Sequence, residues 1–324
     1  TTEKEMGIIL DTPITKKEVD IINGNGFRGA VVSMQGWRTS MEDSHLAVPS
    51  VSFDKNTGFF AVFDGHGGDD ISNYCSTNLM THLEKRIEDI GSEFKPTTDT
   101  YRDVLTKGFI SFDREMFDAH TMKGGSTAIT GFITPTHYVI SNLGDSRCVL
   151  STNHQAVALS SDHKPNNEEE KQRIIKAGGI VFNGRVNGDL AVARAFGDFA
   201  YKQRADLPAE EQEVSCQPDV LVRERSQGDN YIVFACDGIW DVFPQPAELV
   251  AEMDRLLRSY ETVEEAIKAL LDECLERGSR DNMTLMLVLL NDPPLPDRAM
   301  IEEQKRLDEQ KRLEKEQKDS EQEP

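Results

Sequence analysis

The 324-residue chain has little that would staple it, anchor it or give it positive charge. Its five cysteines, Cys75, Cys148, Cys216, Cys236 and Cys274, are odd in number and include no Cys-x-x-Cys pair. That pattern indicates neither a disulfide framework nor a cysteine zinc site, and it points to a reducing compartment. No apolar run approaches the roughly 20 residues needed to span a bilayer, and no basic segment followed by an apolar signal core opens the chain. Lys and Arg number 36 against 57 Asp and Glu, a formal net charge of -21. This deficit of cations argues against nucleic acid as a partner, because backbone binding needs clustered basic side chains to displace counterions. The expectation is a monomeric, cytoplasmic protein, with the nucleus or a membrane surface as further locations. Membrane attachment would require lipidation: with Met6 as initiator, Gly7 becomes available for myristoylation, although Asp11 stands where the acceptor pattern prefers Ser or Thr. Gly124-Gly125-Ser126-Thr127 lacks the Lys and the spacing of a nucleotide-binding Walker loop.

Short β-rich runs recur at residues 30–33, 59–63, 128–133, 138–141, 147–150, 231–235 and 283–290, each bounded by Gly, Asp or Asn. These read as buried strands. Residues 69–90, 100–119, 246–260 and 263–277 space their apolar side chains by three and four, which predicts four helices, enough to cover two sheet faces. A shorter helix is expected within 165–179, capped by Asn166 or Asn167 and closed by Gly178-Gly179. No repeat and no linker divides the middle of the chain. The domain reading is an N-terminal segment over 1–22, one domain over 23–292, and a charged, helical tail over 293–324. In the tail, Glu302 with Arg306, Asp308 with Arg312 and Glu314 with Lys318 sit at helix-supporting spacing.

Two segments share one plan. The run 59–63 leads into Asp64-Gly65-His66-Gly67-Gly68, and the run 231–235 leads through Cys236 into Asp237-Gly238-Ile239-Trp240-Asp241. An Asp-Gly pair at a strand end is either a plain turn or an offer of side-chain and main-chain oxygen to a hard cation. Ser279-Arg280-Asp281-Asn282 precedes a strand, so in an antiparallel sheet Asp281 comes to the same edge as strand-ending acids. Converging carboxylates repel unless a divalent cation intervenes, and an all-oxygen set suits Mg²⁺ or Mn²⁺ rather than zinc. Within residues 36–43, Arg38 offers a guanidinium fork that complements phosphate, and Glu42 offers a further carboxylate. Residues 143–147 read as a tight hairpin connection carrying Asp145. His66 titrates in the range needed to protonate a leaving alkoxide. Plainer readings remain for each: Arg38 paired with Asp43, Glu42 exposed, His66 buried and satisfied.

The ordered blocks 36–43, 63–68, 125–128, 142–147, 162–165, 192–198, 236–241 and 279–283 closely resemble the protein phosphatase 2C family of metal-dependent serine/threonine phosphatases. The resemblance covers about 250 residues. It implies an α+β fold, a central β-sandwich of two mostly antiparallel sheets flanked on each side by helices. It also implies hydrolysis of phosphoserine and phosphothreonine in proteins by a water activated at a binuclear Mn²⁺ or Mg²⁺ centre, without a phosphoenzyme. By the same resemblance, Asp64 bridges two ions, Glu42 and the Gly65 carbonyl hold one, and Asp237 and Asp281 hold the other. Asp145 with Asp237 would take a weaker third ion, with Asp43, Asp241 and Asn282 in the surrounding layer. Arg38 would bind the substrate phosphate, His66 would be the general acid, and residues 164–194 would form a flap. A non-catalytic binding module is the alternative, disfavoured by the complete acidic set. A two-metal nuclease is disfavoured by the missing basic surface.

Overall fold

The strand Gly58–Phe63 is buried at every position, as are Ala128–Ile133 and Asp229–Ala235. Strands with no exposed face must lie between two covering layers. The computed structural model describes residues 9–119 and 121–322, so the lipidation expected at Gly7 lies outside the described residues. Phe60 and Val62 join Val31, Val149 and Phe234 of a second sheet, while Phe59, Ala61 and Phe63 join Leu79, Leu83, Val104 and Phe109 from two helices. The Phe27 and Phe60 rings meet edge to face at 5.3 Å between the sheets, and Tyr101 packs on Phe132 at 4.8 Å beneath the helices. Each such ring taken out of water contributes about 1.5–3 kcal/mol.

One sheet has six strands in the order Ile9–Gly24, Phe27–Arg38, Met283–Leu289, Asp229–Ala235, Arg147–Thr152, Gln155–Ala158. The other has five: Asp219–Glu224, His137–Leu143, Ala128–Ile133, Gly58–Phe63, Ser44–Val48. Every neighbouring pair within these two sheets is antiparallel. Helices Asp70–Ile90 and Thr98–Ala119 cover the five-stranded sheet, and Pro246–Ser259 and Val263–Glu276 cover the six-stranded one. The result is the helix-sheet-sheet-helix sandwich implied by the resemblance.

Within these two sheets, four strands escape the sequence pattern: Ile9–Gly24, Ser44–Val48, Gln155–Ala158 and Asp219–Glu224. All four are sheet edges, where one side faces water and polar residues dilute the apolar signal. Ile9–Gly24 pairs along its length with Phe27–Arg38, so residue 22 falls inside a strand rather than at its border. The connection at 143–147 is not a hairpin. Leu143 ends a strand of the five-stranded sheet and Arg147 begins one of the six-stranded sheet, so Gly144, Asp145 and Ser146 cross between the layers. The helix Glu168–Ala177 is closed by left-handed Gly178, but Asn167 makes no side-chain cap and its amide donates instead to the Asp162 carbonyl at 2.6 Å.

The tail forms the helix Arg298–Gln322 and docks on the helix pair through polar contacts, among them Arg255 to Gln304 (3.2 Å), Tyr260 to Asp308 (3.2 Å) and Lys305 to Glu261 (2.7 Å). Within it, Glu302 pairs with Arg298, Arg306 reaches the Glu302 carbonyl, and Arg312 pairs with Glu309. The Lys318 side chain expected opposite Glu314 lies outside the described residues.

Candidate metal centre and active site

Asp64 follows the strand Gly58–Phe63 of one sheet, and Asp237 follows Asp229–Ala235 of the other. Asp281 lies just before Met283–Leu289, whose Leu285 pairs with Ala235, so the start of one strand meets the end of its neighbour. Arg38 closes Phe27–Arg38 on the other side of Met283–Leu289. All four therefore reach one edge of the sandwich, where a cleft of about 620 Å³ is lined by Arg38, Glu42, Asp64, Gly65, His66, Asp145, Asp237, Asp241, Asp281 and Asn282. Asp145 arrives by the crossing between sheets. Carboxylate oxygens of Asp64, Asp145 and Asp237 lie within 4.8 Å of one another.

The loop carrying Glu42 is tightly held. The Glu42 amide donates to Asn282 Oδ1 at 2.8 Å, and its carboxylate accepts from Ser40 Oγ at 2.7 Å and from the Gly68 amide at 3.1 Å. Asn282 Nδ2 in turn donates to the Gln35 and Ser40 carbonyls at 2.9 and 3.0 Å. Asn282 thus clamps the 39–42 loop to the strand start. Gly65 is required here because a Cβ would collide with the Glu42 carbonyl. Arg38 Nη2 donates to Asp281 Oδ2 at 2.5 Å, so its partner is Asp281 and not Asp43. His66 is neither buried away nor unpartnered: it lines the cleft, and its Nε2 meets Asp198 Oδ2 at 2.6 Å.

The electrostatics are those of crowded acids. Desolvation, then the charges of Asp237, Asp43, Asp281 and Asp145, push the Asp64 carboxyl well above its ordinary range. Desolvation, with Asp145, Asp281 and Asp241, does the same to Asp237, while Lys164 opposes. Burial chiefly pushes Asp43 up to about 7. For His66, burial pulls the pKa down, but the hydrogen bond and charge of Asp198 outweigh it and raise the imidazole above its ordinary value. The protonated ring is thereby favoured relative to that of a free imidazole.

These residues fit hard divalent cations. Asp43 is buried with its Oδ2 lacking any hydrogen-bond partner, and the Asp64, Asp145 and Asp237 oxygens crowd together while the Lys164 ammonium reaches Asp145. Such a set is stabilised by ions that take carboxylate oxygen. Cys236 stands beside Asp43 and Asp64, but its thiol is fully buried, donates to the Asn282 carbonyl at 3.4 Å and is pushed well up by burial. A thiolate ligand is disfavoured there.

Two residues in the site lie in the blocks 162–165 and 192–198 that carry the resemblance, yet nothing in their local spacing assigns them a role. Lys164 opens the 164–194 segment and reaches Asp145, and Asp198 holds His66 from a left-handed backbone position (φ 50°). The rest of that segment leans over the cleft through Arg185, Asp189 and Leu190. It is fixed by buried Glu170, which pairs with Arg173 at 2.5 Å and with Arg194 at 2.6 Å.

Residues 27–283 match the protein-family description Protein phosphatase 2C. The chain is 43% identical over 311 residues to protein phosphatase ppm-1.A of Caenorhabditis elegans, covering 90% of this chain and 65% of that protein. It is 40% identical over 300 residues to protein phosphatase 1B of Mus musculus, covering 89% of this chain and 77% of that one. Among solved structures, a phosphatase from Toxoplasma gondii superposes with a TM-score of 0.73 at 28% identity, over 85% of this chain and 96% of that chain. A sex-determining protein of C. elegans superposes with a TM-score of 0.70 at 27% identity, over 90% of this chain and 67% of that chain. On the extent of these matches, the chain belongs to the protein phosphatase 2C family, whose members are metal-dependent enzymes that dephosphorylate serine and threonine.

Proposed function

We propose that this protein hydrolyses phosphoserine and phosphothreonine in protein substrates by direct attack of water on phosphorus, at two Mn²⁺ or Mg²⁺ ions and with no phosphoenzyme. The observation that carries the reading is the meeting of Asp64, Asp145 and Asp237 with Arg38 and His66 in one cleft. Glu42, Asp64 and the Gly65 carbonyl are assigned to one ion and Asp64, Asp237 and Asp281 to the other, with Asp145 and Asp237 as holders of a weaker third. Such ions, when bound, supply Lewis acidity to the attacking water and neutralise the phosphoryl oxygens.

The chain's own groups do the rest. Arg38, 43% exposed along its side chain and paired with Asp281, presents its guanidinium to a phosphate while that carboxylate holds it at the cleft wall. His66 donates a proton to the departing serine or threonine oxygen, which makes a strong alkoxide an acceptable leaving group. Asp43, Asp241 and Asn282 surround the ligand layer, and Asn282 sets the loop that carries Glu42.

A thiol mechanism has little support. Cys274 and Arg280 do stand at the Cys-x5-Arg spacing of cysteine phosphatases. Yet Cys274 lies buried in the helix Val263–Glu276, and burial pushes its thiol up to about 12, so no thiolate forms near neutrality. The test is release of phosphate from p-nitrophenyl phosphate and from a phosphothreonine peptide, with Mn²⁺ or after chelation. Turnover on both that vanishes with the metal is expected. Turnover that survives chelation, or none with metal present, overturns the reading.

A further inference from the structure

The stretch Gly124-Gly125-Ser126-Thr127 lacks the Lys and spacing of a nucleotide loop, and it sits at the centre of a small ribbon. In that ribbon Gly125–Ser126 is flanked by Gly65–His66 on one side and Phe196–Gly197 on the other. His66 and Gly197 both pair with Gly125, so the histidine and the residue after Gly197, Asp198, come together across one glycine. A Cβ at Gly125 would collide with both Asp198 Oδ2 and His66 Nε2. The empty side of Gly125 is therefore the space that the pair occupies.

Asp198 is fixed as firmly as the ring it touches. Its amide donates to the Gly124 carbonyl at 2.8 Å. The neighbouring Gly197 amide donates to Asp113 Oδ1 at 2.8 Å. Asp113 forms a buried ion pair with Lys202 at 2.8 Å, and Lys202 also holds the Ala195 carbonyl at 2.8 Å. The helix Thr98–Ala119, remote from the cleft, thus braces the loop that presents Asp198. With Nε2 taken by Asp198, Nδ1 is the ring nitrogen left to serve substrate.

We propose that Asp198 is the positioning residue for His66, forming with it a carboxylate-imidazole dyad in which Gly125 is the steric seat; the proposal rests on His66 being the general acid. In the step it serves, water forms a bond to phosphorus while the bond from phosphorus to the serine or threonine oxygen breaks. That electron pair goes to the oxygen, which takes the Nδ1 proton. The imidazolium becomes neutral imidazole, Asp198 takes up no proton in the step, and solvent returns the proton to the ring.

The experiment measures kcat and KM for a phosphothreonine peptide and for p-nitrophenyl phosphate, whose leaving group needs no proton, in Mn²⁺-loaded wild type, His66→Gln, Asp198→Asn, Gly125→Ala and the His66→Gln/Asp198→Asn double variant. Asp198→Asn is expected to lower peptide kcat by about 10- to 100-fold with a much smaller loss on the aryl ester and little change in KM. The double variant is expected to lose no more than His66→Gln alone. Gly125→Ala, which leaves both partners chemically intact, should reproduce the same selectivity. If His66→Gln is selective for the peptide but Asp198→Asn and Gly125→Ala are not, or if the double variant loses the product of the two single losses, the dyad is refuted while the general acid stands. If His66→Gln itself costs both substrates equally, the general-acid reading falls and the dyad with it.

Discussion

The crowded carboxylates make a definite prediction about stability in the absence of metal. Asp43 has its folded pKa raised to about 7 from an ordinary 3.8, chiefly by burial. The folded state therefore holds a proton that the unfolded state has released throughout the window between those values. Stability falls as pH rises wherever the native state binds more protons, so Asp43 is harmless below about pH 4 and fully destabilising above about pH 7. Between pH 5 and 7 the ionisation spans about two pKa units, worth on the order of 3 kcal/mol at 1.36 kcal/mol per unit. For a chain of this size, roughly 2 °C of Tm accompanies each kcal/mol, which gives a fall of roughly 5 °C. Asp64 and Asp237 are raised as well and act with the same sign.

Divalent ions should remove that slope, because they bind the ionised carboxylates and are favoured as pH rises. At 100 times its Kd a single ion adds about 2.7 kcal/mol. The assay is calorimetric or circular-dichroism melting of protein freed of metal by chelation and gel filtration, at pH 5, 6 and 7, with and without saturating Mg²⁺. Groups remote from the site contribute equally to both series, so the difference isolates the cluster. A metal-free Tm that stays level or rises over this window, or equal slopes in the two series, would refute the reasoning.

Arg38→Ala should raise KM for the phosphothreonine peptide by roughly 10- to 100-fold, the worth of a charge-assisted pair, with a smaller change in kcat; an unchanged KM removes its assigned role. Asp237→Asn withdraws a carboxylate shared by the assigned sites, and titration calorimetry with Mn²⁺ should lose at least one binding event together with turnover; wild-type stoichiometry would exclude it as a ligand. Lys164→Met removes the ammonium that rests on Asp145, so Mn²⁺ binding measured by calorimetry should tighten by up to about tenfold, and unchanged affinity would mean that the lysine does not compete with metal. Ending the chain at residue 297 removes a helix held by exposed polar contacts, and activity is expected to stay within about twofold with a Tm loss of a few degrees at most; a larger loss of either would show the helix to be structural.

What the sequence made legible follows from short-range pattern. Asp64, Asp237 and Asp281 stand beside apolar runs; strand polarity carries Asp237 and Asp281 to one end of their sheet, and the packing of the two sheets brings Asp64 to the same edge. The helices Asp70–Ile90, Thr98–Ala119, Pro246–Ser259 and Val263–Glu276 lie within two residues of their expected limits because each buries one apolar stripe against a sheet. The edge strands were illegible because half of their side chains meet water. A hairpin is the local expectation at Gly144-Asp145-Ser146 because a short polar link between two apolar runs has the same signature whether or not the strands pair.

The residues missed at the site share a different cause: each acts on a partner that local spacing cannot identify. Asp198 meets His66 across 132 residues, and Lys164 meets Asp145 across 19 after a change of sheet. Neither contact follows from propensity, since both depend on where a backbone turns after leaving its strand. One trace was present: Gly125 lies in a Gly-Gly-Ser-Thr run that serves no phosphate loop, and a glycine without a turn to make implies that something must approach its backbone closely. The structure identifies the two approaching groups as Asp198 and His66. A small residue left unexplained by local conformation thus marked the one position from which the brace on the histidine could be sought.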